Sequence, residues 1–216
     1  MHVNRILVPL LLLVTGCGFG GASYAFECTA NSYFYEEYGD FCIDELDTQG
    51  DLDRLSGLTS ISGTLFITRT SFTNLEMLHS LTTVGGLEIS SNHNLTSLEG
   101  LNALTSVGNG KWGDSLTISR NDSLTNLDAL GGLTSIEANL EIEYNEALTS
   151  LSGLNNVTSV FDLKIVDNPS LTNLEGLHAI TSLMELTIAD NLGLTSLADL
   201  TNLTSVSELN ISLNHS

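Results

Sequence analysis

One phrase recurs along this chain from Leu52 onward. Aligned on their leucines, the repeats start at Phe72, Leu95, Leu124, Leu148, Leu171 and Leu194, with steps of 23, 29, 24, 23 and 23 residues. A period of this length marks units that cannot bury their apolar face alone and must stack on one another, which is a solenoid. Within one unit the apolar positions run Leu75, Leu78, Leu81 and Val84, then Leu87 and Ile89, and Asn92 follows three residues later. The next units read Leu98, Leu101, Leu104, Val107, Leu116, Ile118, Asn121 and then Leu127, Leu130, Leu133, Ile136, Leu140, Ile142, Asn145. Spacing by three followed by a single step of two fits neither a long helix nor a long strand. It predicts a coil walled by tight turns, with one short parallel strand, L-x-I, per rung.

The asparagines sharpen this reading. Asn92, Asn121, Asn145, Asn168, Asn191 and Asn214 each follow the strand isoleucine by three, and Thr70 takes the place in the first repeat. An amide side chain carries both donors and acceptors, so turned inward it can satisfy backbone groups freed at a bend and link to the next rung. Turn preference alone explains one or two such residues but not six in register. A structural ladder of amides is therefore expected.

The chain carries 26 acidic residues against 6 Lys and Arg, a formal charge of -20, and is 42% apolar. The apolar share supports a packed core rather than disorder. The acidity argues against nucleic acid as a partner, because neutralising phosphates needs a basic face. Met1 to Arg5 followed by the apolar run Ile6 to Val14 reads as an export signal, too short to span a bilayer as a mature helix. Two exits are open. Val14-Thr15-Gly16-Cys17 resembles a bacterial lipobox, with cleavage at 16/17 and lipid attachment to Cys17; Ser23-Tyr24-Ala25 offers an ordinary cleavage at 25/26. Either exit places the mature chain outside the cytoplasm, secreted or lipid-anchored at the cell envelope. Cysteines there usually pair, so Cys28 and Cys42 are expected to form a disulfide. It would close residues 26–51 as an aromatic-rich N-terminal cap over the solenoid of residues 52–216, after a signal of residues 1–25. A loop of this size is worth about 3 kcal/mol in the chain-entropy model.

The pattern V-x-x-L-x-I-x-x-N-x-x-L resembles the leucine-rich repeat. Phrases such as Leu58-Thr59-Ser60-Ile61-Ser62-Gly63-Thr64-Leu65-Phe66-Ile67 and Leu81-Thr82-Thr83-Val84-Gly85-Gly86-Leu87-Glu88-Ile89 look more specifically like the receptor L-domain family. The resemblance runs from about Cys42 to the C-terminus. It implies a mainly β, right-handed solenoid of about seven rungs of roughly 23 residues, used in extracellular recognition, and it transfers no catalytic chemistry. The kinase, membrane helix and furin-like cysteine module found in growth-factor receptors do not accompany it.

In such a coil the residues flanking the inward Leu and Ile face outward. The expected outward triplets are Thr64/Phe66/Thr68, Gly86/Glu88/Ser90, Ser115/Thr117/Ser119, Asn139/Glu141/Glu143, Asp162/Lys164/Val166, Glu185/Thr187/Ala189 and Glu208/Asn210/Ser212. The repeat fixes the inward positions and leaves these free, which is how solenoids build recognition faces. Phe66, Glu88, Thr117, Glu141, Lys164, Thr187 and Asn210 are thus candidate contacts for an unknown protein or glycan at the cell surface. The bland alternative is a solvated polar sheet in a passive structural protein of the envelope.

Other motifs carry residue types capable of chemistry. Gly108-Asn109-Gly110-Lys111-Trp112-Gly113 matches a dinucleotide fingerprint but feeds into a strand instead of a helix. As the insertion behind the 29-residue step it adds Lys111 and Trp112 as candidate contacts, unless Trp112 folds back over the solenoid edge. Glu76, Glu99 and Asp128 share a register that a divalent cation could bridge, yet no calcium-loop motif surrounds them, and solvated charge is expected. Thr-Ser pairs such as Thr96/Ser97, Thr105/Ser106, Thr134/Ser135 and Thr149/Ser150 could present an ice- or mineral-binding lattice, but their hydroxyls are expected to bond local backbone. His79, His93, His178 and His215 fall in different rungs without catalytic or metal-binding spacing. No enzyme, cofactor or metal is therefore expected. The sequence stops just after a strand, so either the chain is truncated there or the uncovered edge invites end-to-end association.

Overall fold

The computed structural model describes residues 34–35, 40–43, 55–108 and 115–214, with side chains described from residue 55 onward. The export signal, Cys17, Cys28, the side chain of Cys42, Lys111, Trp112 and His215 lie outside the described residues. The strands are β1 (Phe34–Tyr35), β2 (Asp40–Ile43), β3 (Ser60–Thr68), β4 (Thr83–Ser90), β5 (Ser106–Val107) and β6 (Ser115–Ser119), then β7 (Ser135–Ile136), β8 (Asn139–Glu143), β9 (Asp162–Val166), β10 (Ser182–Ala189) and β11 (Ser205–Ser212). The architecture is a mainly β solenoid. β3, β4, β6, β8, β9, β10 and β11 lie side by side in that order, all parallel, with β2 parallel to β3 at one end and β1 antiparallel to β2.

Register follows the repeat. Leu65, Leu87, Leu116, Leu140, Leu163, Leu186 and Leu209 stack as partners across the seven main strands, and Ile67 through Ile211 do the same two residues later. A one-residue slip would turn both rows into solvent, so burial itself fixes the pairing. From Leu65 to Ile165 these Leu and Ile side chains are at most 1% exposed, and the turn leucines Leu75, Leu78, Leu81, Leu95, Leu98 and their equivalents close the same core. The opposite wall is made of short pieces. β5 and β7 continue a two-residue ladder from Thr83 and Val84, and 3-10 turns occupy Glu76–Leu78, Asp128–Leu130 and Ser152–Leu154. Each turn is started by a side-chain oxygen two residues upstream of an amide it accepts: Asn74 for Glu76, Asn126 for Asp128 and Ser150 for Ser152.

Two polar devices join the rungs. The first is the row of interior amides. Asn92, Asn121, Asn145, Asn168 and Asn191 are 0% exposed. Each donates from Nδ2 to a strand isoleucine carbonyl of the rung before it, Ile67, Ile89, Ile118, Ile142 and Ile165 in turn, always at 2.9 Å. Each also sends its backbone N–H to the Oδ1 of the next amide at 3.0–3.2 Å, ending on Asn214, which is half-buried. Thr70 joins the row by donating its N–H and its hydroxyl to Asn92 Oδ1.

The second device is a pair of threonine ladders. The hydroxyls of Thr82, Thr105, Thr134 and Thr204 donate to the carbonyls of Thr59, Thr82, Thr105 and Thr181, one rung earlier. Thr96, Thr149 and Thr195 repeat this on Thr73, Thr125 and Thr172. The sequence suggested that these hydroxyls would bond local backbone. Instead they reach the neighbouring rung, because stacking at about 4.8 Å brings its carbonyl as close as any local one. Ser97, Ser150 and Ser196 do bond locally, each accepting the N–H two residues on.

Just before every ladder residue the chain adopts a left-handed conformation. Arg69, Ser91, Arg120, Tyr144, Asp167, Asp190 and Leu213 all have φ between 54° and 58°. None is glycine, so the turn carries backbone strain of order 1 kcal/mol or more per residue. From Arg69 to Asp190, what holds it is the cross-rung bond from that same N–H, as from Arg69 to Ser90 O and from Tyr144 to Val166 O.

Candidate functional site

The outward side of the strand sheet carries three rows. Register places Phe66, Glu88, Thr117, Glu141, Lys164, Thr187 and Asn210 side by side in the middle row, about 4.8 Å apart. Lys164 and Asn210 are exposed, and the other five are half-buried. The row before them holds Thr64, Gly86, Ser115, Asn139, Asp162, Glu185 and Glu208. The row after holds Thr68, Ser90, Ser119, Glu143, Val166, Ala189 and Ser212. This third row is less accessible than the alternation of the strand suggests: Thr68, Ser90, Ser119 and Ala189 are 6–9% exposed. Small side chains at this spacing shield one another from water. Usable surface therefore lies in the first and middle rows.

That surface is acidic. Glu88, Glu141, Asp162, Glu185 and Glu208 share it with one cation, Lys164, whose Nζ sits 2.6 Å from the Oε1 of Glu143 in the third row. The hydrogen bond to Glu143 raises the Lys164 pKa, outweighing the opposing effect of its partial burial. The Glu141 carboxyl is pushed above its ordinary range, first by burial and then by Glu143, with Lys164 opposing. Hydroxyls tie down several acids: Ser90 donates to Glu88 and Thr187 to Glu185. The face is a preorganised set of acceptors with one fixed cation.

Sequence reasoning missed the apolar component. Phe161 and Met184 are 55% and 63% exposed and sit in successive rungs, Met184 N donating to Phe161 O. The corresponding position is Gly63, Gly85, Asp114, Ala138 or Ser207 in other repeats, so a large apolar residue replacing a small or polar one is the signal that could have found them. They border the first row beside Asp162 and Glu185.

The remaining candidates are dispersed. Glu76, Glu99 and Asp128 are exposed, and Asp128 accepts a hydroxyl bond from Ser152 at 2.6 Å. Among the described residues no group of three His, Cys, Asp or Glu is placed to hold a metal ion, and no helix is long and apolar enough to cross a membrane. His93 pairs with Asp122 at 2.6 Å, while the nearby Ser123 hydroxyl goes to the His93 carbonyl and not to its ring.

None of the curated proteins compared matches the chain. Among solved structures it is similar to an internalin C2 from Listeria monocytogenes, at 22% identity over 76% of this chain and 84% of that one, with a TM-score of 0.39. The parallel strands, the L-x-I rows and the turn leucines described above meet a known pattern in the first half of the solenoid: residues 38–130 match the family model described as Receptor L domain.

Proposed function

We propose that this protein is a non-catalytic, extracytoplasmic binding or adhesion module that presents its outward strand face to a protein or glycan at the cell surface. The observation that carries the reading is the contrast between rows. Inward Leu and Ile repeat without variation, whereas the outward positions run Phe, Glu, Thr, Glu, Lys, Thr, Asn, with Phe161 and Met184 in solvent beside them. A scaffold needs the inward rows only. Exposed aromatic and methionine side chains next to fixed charges are the composition of contact hot spots. The match to the Receptor L domain supports the same reading. Export through the N-terminal signal, with a lipid on Cys17 or cleavage before Phe26, completes it.

The test is capture of glycans and surface proteins by the mature chain. Phe161→Ala with Met184→Ala, Phe66→Ala, and Lys164→Glu should each weaken capture at least tenfold while leaving the fold intact. A passive envelope protein would capture nothing, or would capture equally well with all of these changes. Mass spectrometry of the mature N-terminus separates a diacylated Cys17 from a free Phe26.

A further inference from the structure

Among the described residues the cations are Arg69, Arg120 and Lys164, in a chain with 26 acidic residues. Lys164 is paired with Glu143, and the Arg120 guanidinium lies 4.9 Å from the Tyr144 ring centroid. Arg69 makes neither kind of contact among the described residues. It is exposed, and it lines a cavity formed where the turns after β3 and β4 stack, with Thr70, Ser71, Ser91, His93 and Asn94 as the other walls. An unpaired arginine is out of place on a surface so rich in carboxylates. As one wall of a cavity lined by Thr70, Ser71, Ser91, His93 and Asn94, it has the character of a ligand contact.

The rest of the cavity is held in place by the solenoid. Asp122 in the next rung fixes the His93 ring through Nδ1 at 2.6 Å, and Ser123 holds the His93 carbonyl at 2.6 Å. The Thr70 hydroxyl is committed to Asn92. That leaves the Arg69 fork, the second ring nitrogen of His93, two serine hydroxyls and the Asn94 amide to meet a guest. A guanidinium takes a carboxylate in a bidentate pair, and neutral hydroxyl and amide groups match a ring of sugar hydroxyls.

We propose that this cavity binds a single acidic sugar, a uronic-acid-type residue, through its carboxylate on Arg69 and its hydroxyls on Ser71, Ser91 and Asn94. The charge of -20 refines the ligand class. Each further negative charge on a ligand meets the field of the whole protein, so an isolated acidic residue on a neutral glycan is favoured over a polyanion. The site lies on the turn row, apart from the outward strand rows, and does not depend on their proposed role.

The experiment is an NMR titration of the 15N-labelled mature chain with methyl glucuronide, methyl glucoside, a polyuronate and an acetylated dipeptide bearing a free carboxylate. Methyl glucuronide should shift the amides of Arg69, Ser71, Ser91, His93 and Asn94 saturably, with the glucoside at least tenfold weaker. Arg69→Gln should weaken binding at least tenfold, Arg69→Lys less, and Asn94→Ala severalfold. Lys164→Glu on the strand face should leave it unchanged. Equal binding of the glucoside, preference for the dipeptide or the polyuronate, an unaffected Arg69→Gln, or a loss caused by Lys164→Glu would overturn the assignment.

Discussion

Asn145 shows how much one interior amide holds. Its Oδ1 accepts from the backbone and side chain of Asn121 at 3.1 and 3.3 Å, and its Nδ2 donates to Ile118 O, Glu143 O and Asn168 Oδ1. Buried groups left without a partner cost about 1–3 kcal/mol each. Asn145→Asp keeps the volume but removes both donors and buries a charge. It should destabilise on the order of 3 kcal/mol or more, read as a lower urea midpoint with unchanged slope. Asn145→Ala should fall in the same range, with a cavity contributing. A loss below about 1 kcal/mol in both would mean that the row is decoration. Glu141 calls for the opposite experiment. Its folded-state pKa is raised from the ordinary 4.5, by burial first. The folded state therefore binds the proton more readily than the unfolded one. The contribution to stability is complete below the unfolded value and is lost as pH rises through the raised folded value. Glu141→Gln should be more stable than the parent at pH 7, by less than about 1 kcal/mol because the group is partly solvated, and the gain should vanish below pH 4. A gain that persisted at pH 3 would assign the effect to packing.

At the scale of the element, the rungs are shaped by how closely they approach. Gly100 has φ of 112°, and a Cβ there would stand 1.8 Å from the Leu75 carbonyl of the previous rung. Leu75 N donates to Glu99 O at 2.7 Å across the same contact. Gly100→Ala meets both a backbone clash and a left-handed conformation, so it should cost several kcal/mol and lower the thermal midpoint sharply. A midpoint within a degree of the parent would show that the rungs can separate at little cost. The strands and their order were legible in the sequence because Leu and Ile two apart have one explanation, a buried strand face. The register of Asn92 through Asn214 was legible for the same reason of periodicity. The left-handed residues were not, since Arg69, Tyr144 and Leu213 carry no shared side-chain chemistry that marks the turn. Likewise, the strand alternation identified the outward rows around Lys164 but could not show that Thr68 and Ser119 would be shielded, because that depends on distance between rungs. Phe161 was marked only by its size at a position where other repeats are small or polar, whereas the Arg69 cavity needed the stacked arrangement, which brings together residues 20 or more positions apart.

For the molecule as a whole, each rung contacts only its neighbours, so stability is a sum of rung and interface contributions and varies along the axis. Leu140 lies between paired strands on both sides and is 0% exposed. Leu209 occupies the same position in β11, which pairs only with β10 among the described strands, and is 62% exposed, with Ile211 at 44%. The same leucine in the same repeat thus removes very different areas from water. Leu140→Ala should cost about 2–5 kcal/mol, whereas Leu209→Ala should cost less than about 1 kcal/mol, scaled by its small buried fraction. Hydrogen exchange should follow the same gradient: amides of β11 open by local fraying, and those of β6 and β8 only when several interfaces are lost. Equal protection from β6 to β11, together with equal costs for the two substitutions, would mean that the solenoid opens as one unit and that nearest-neighbour stacking does not set its stability. A protected β11 with a cheap Leu209→Ala would instead place the strength of the last rung in backbone pairing and the amide row, since Asn214 still reaches Ile188 O and receives the Asn191 N–H at 3.1 Å.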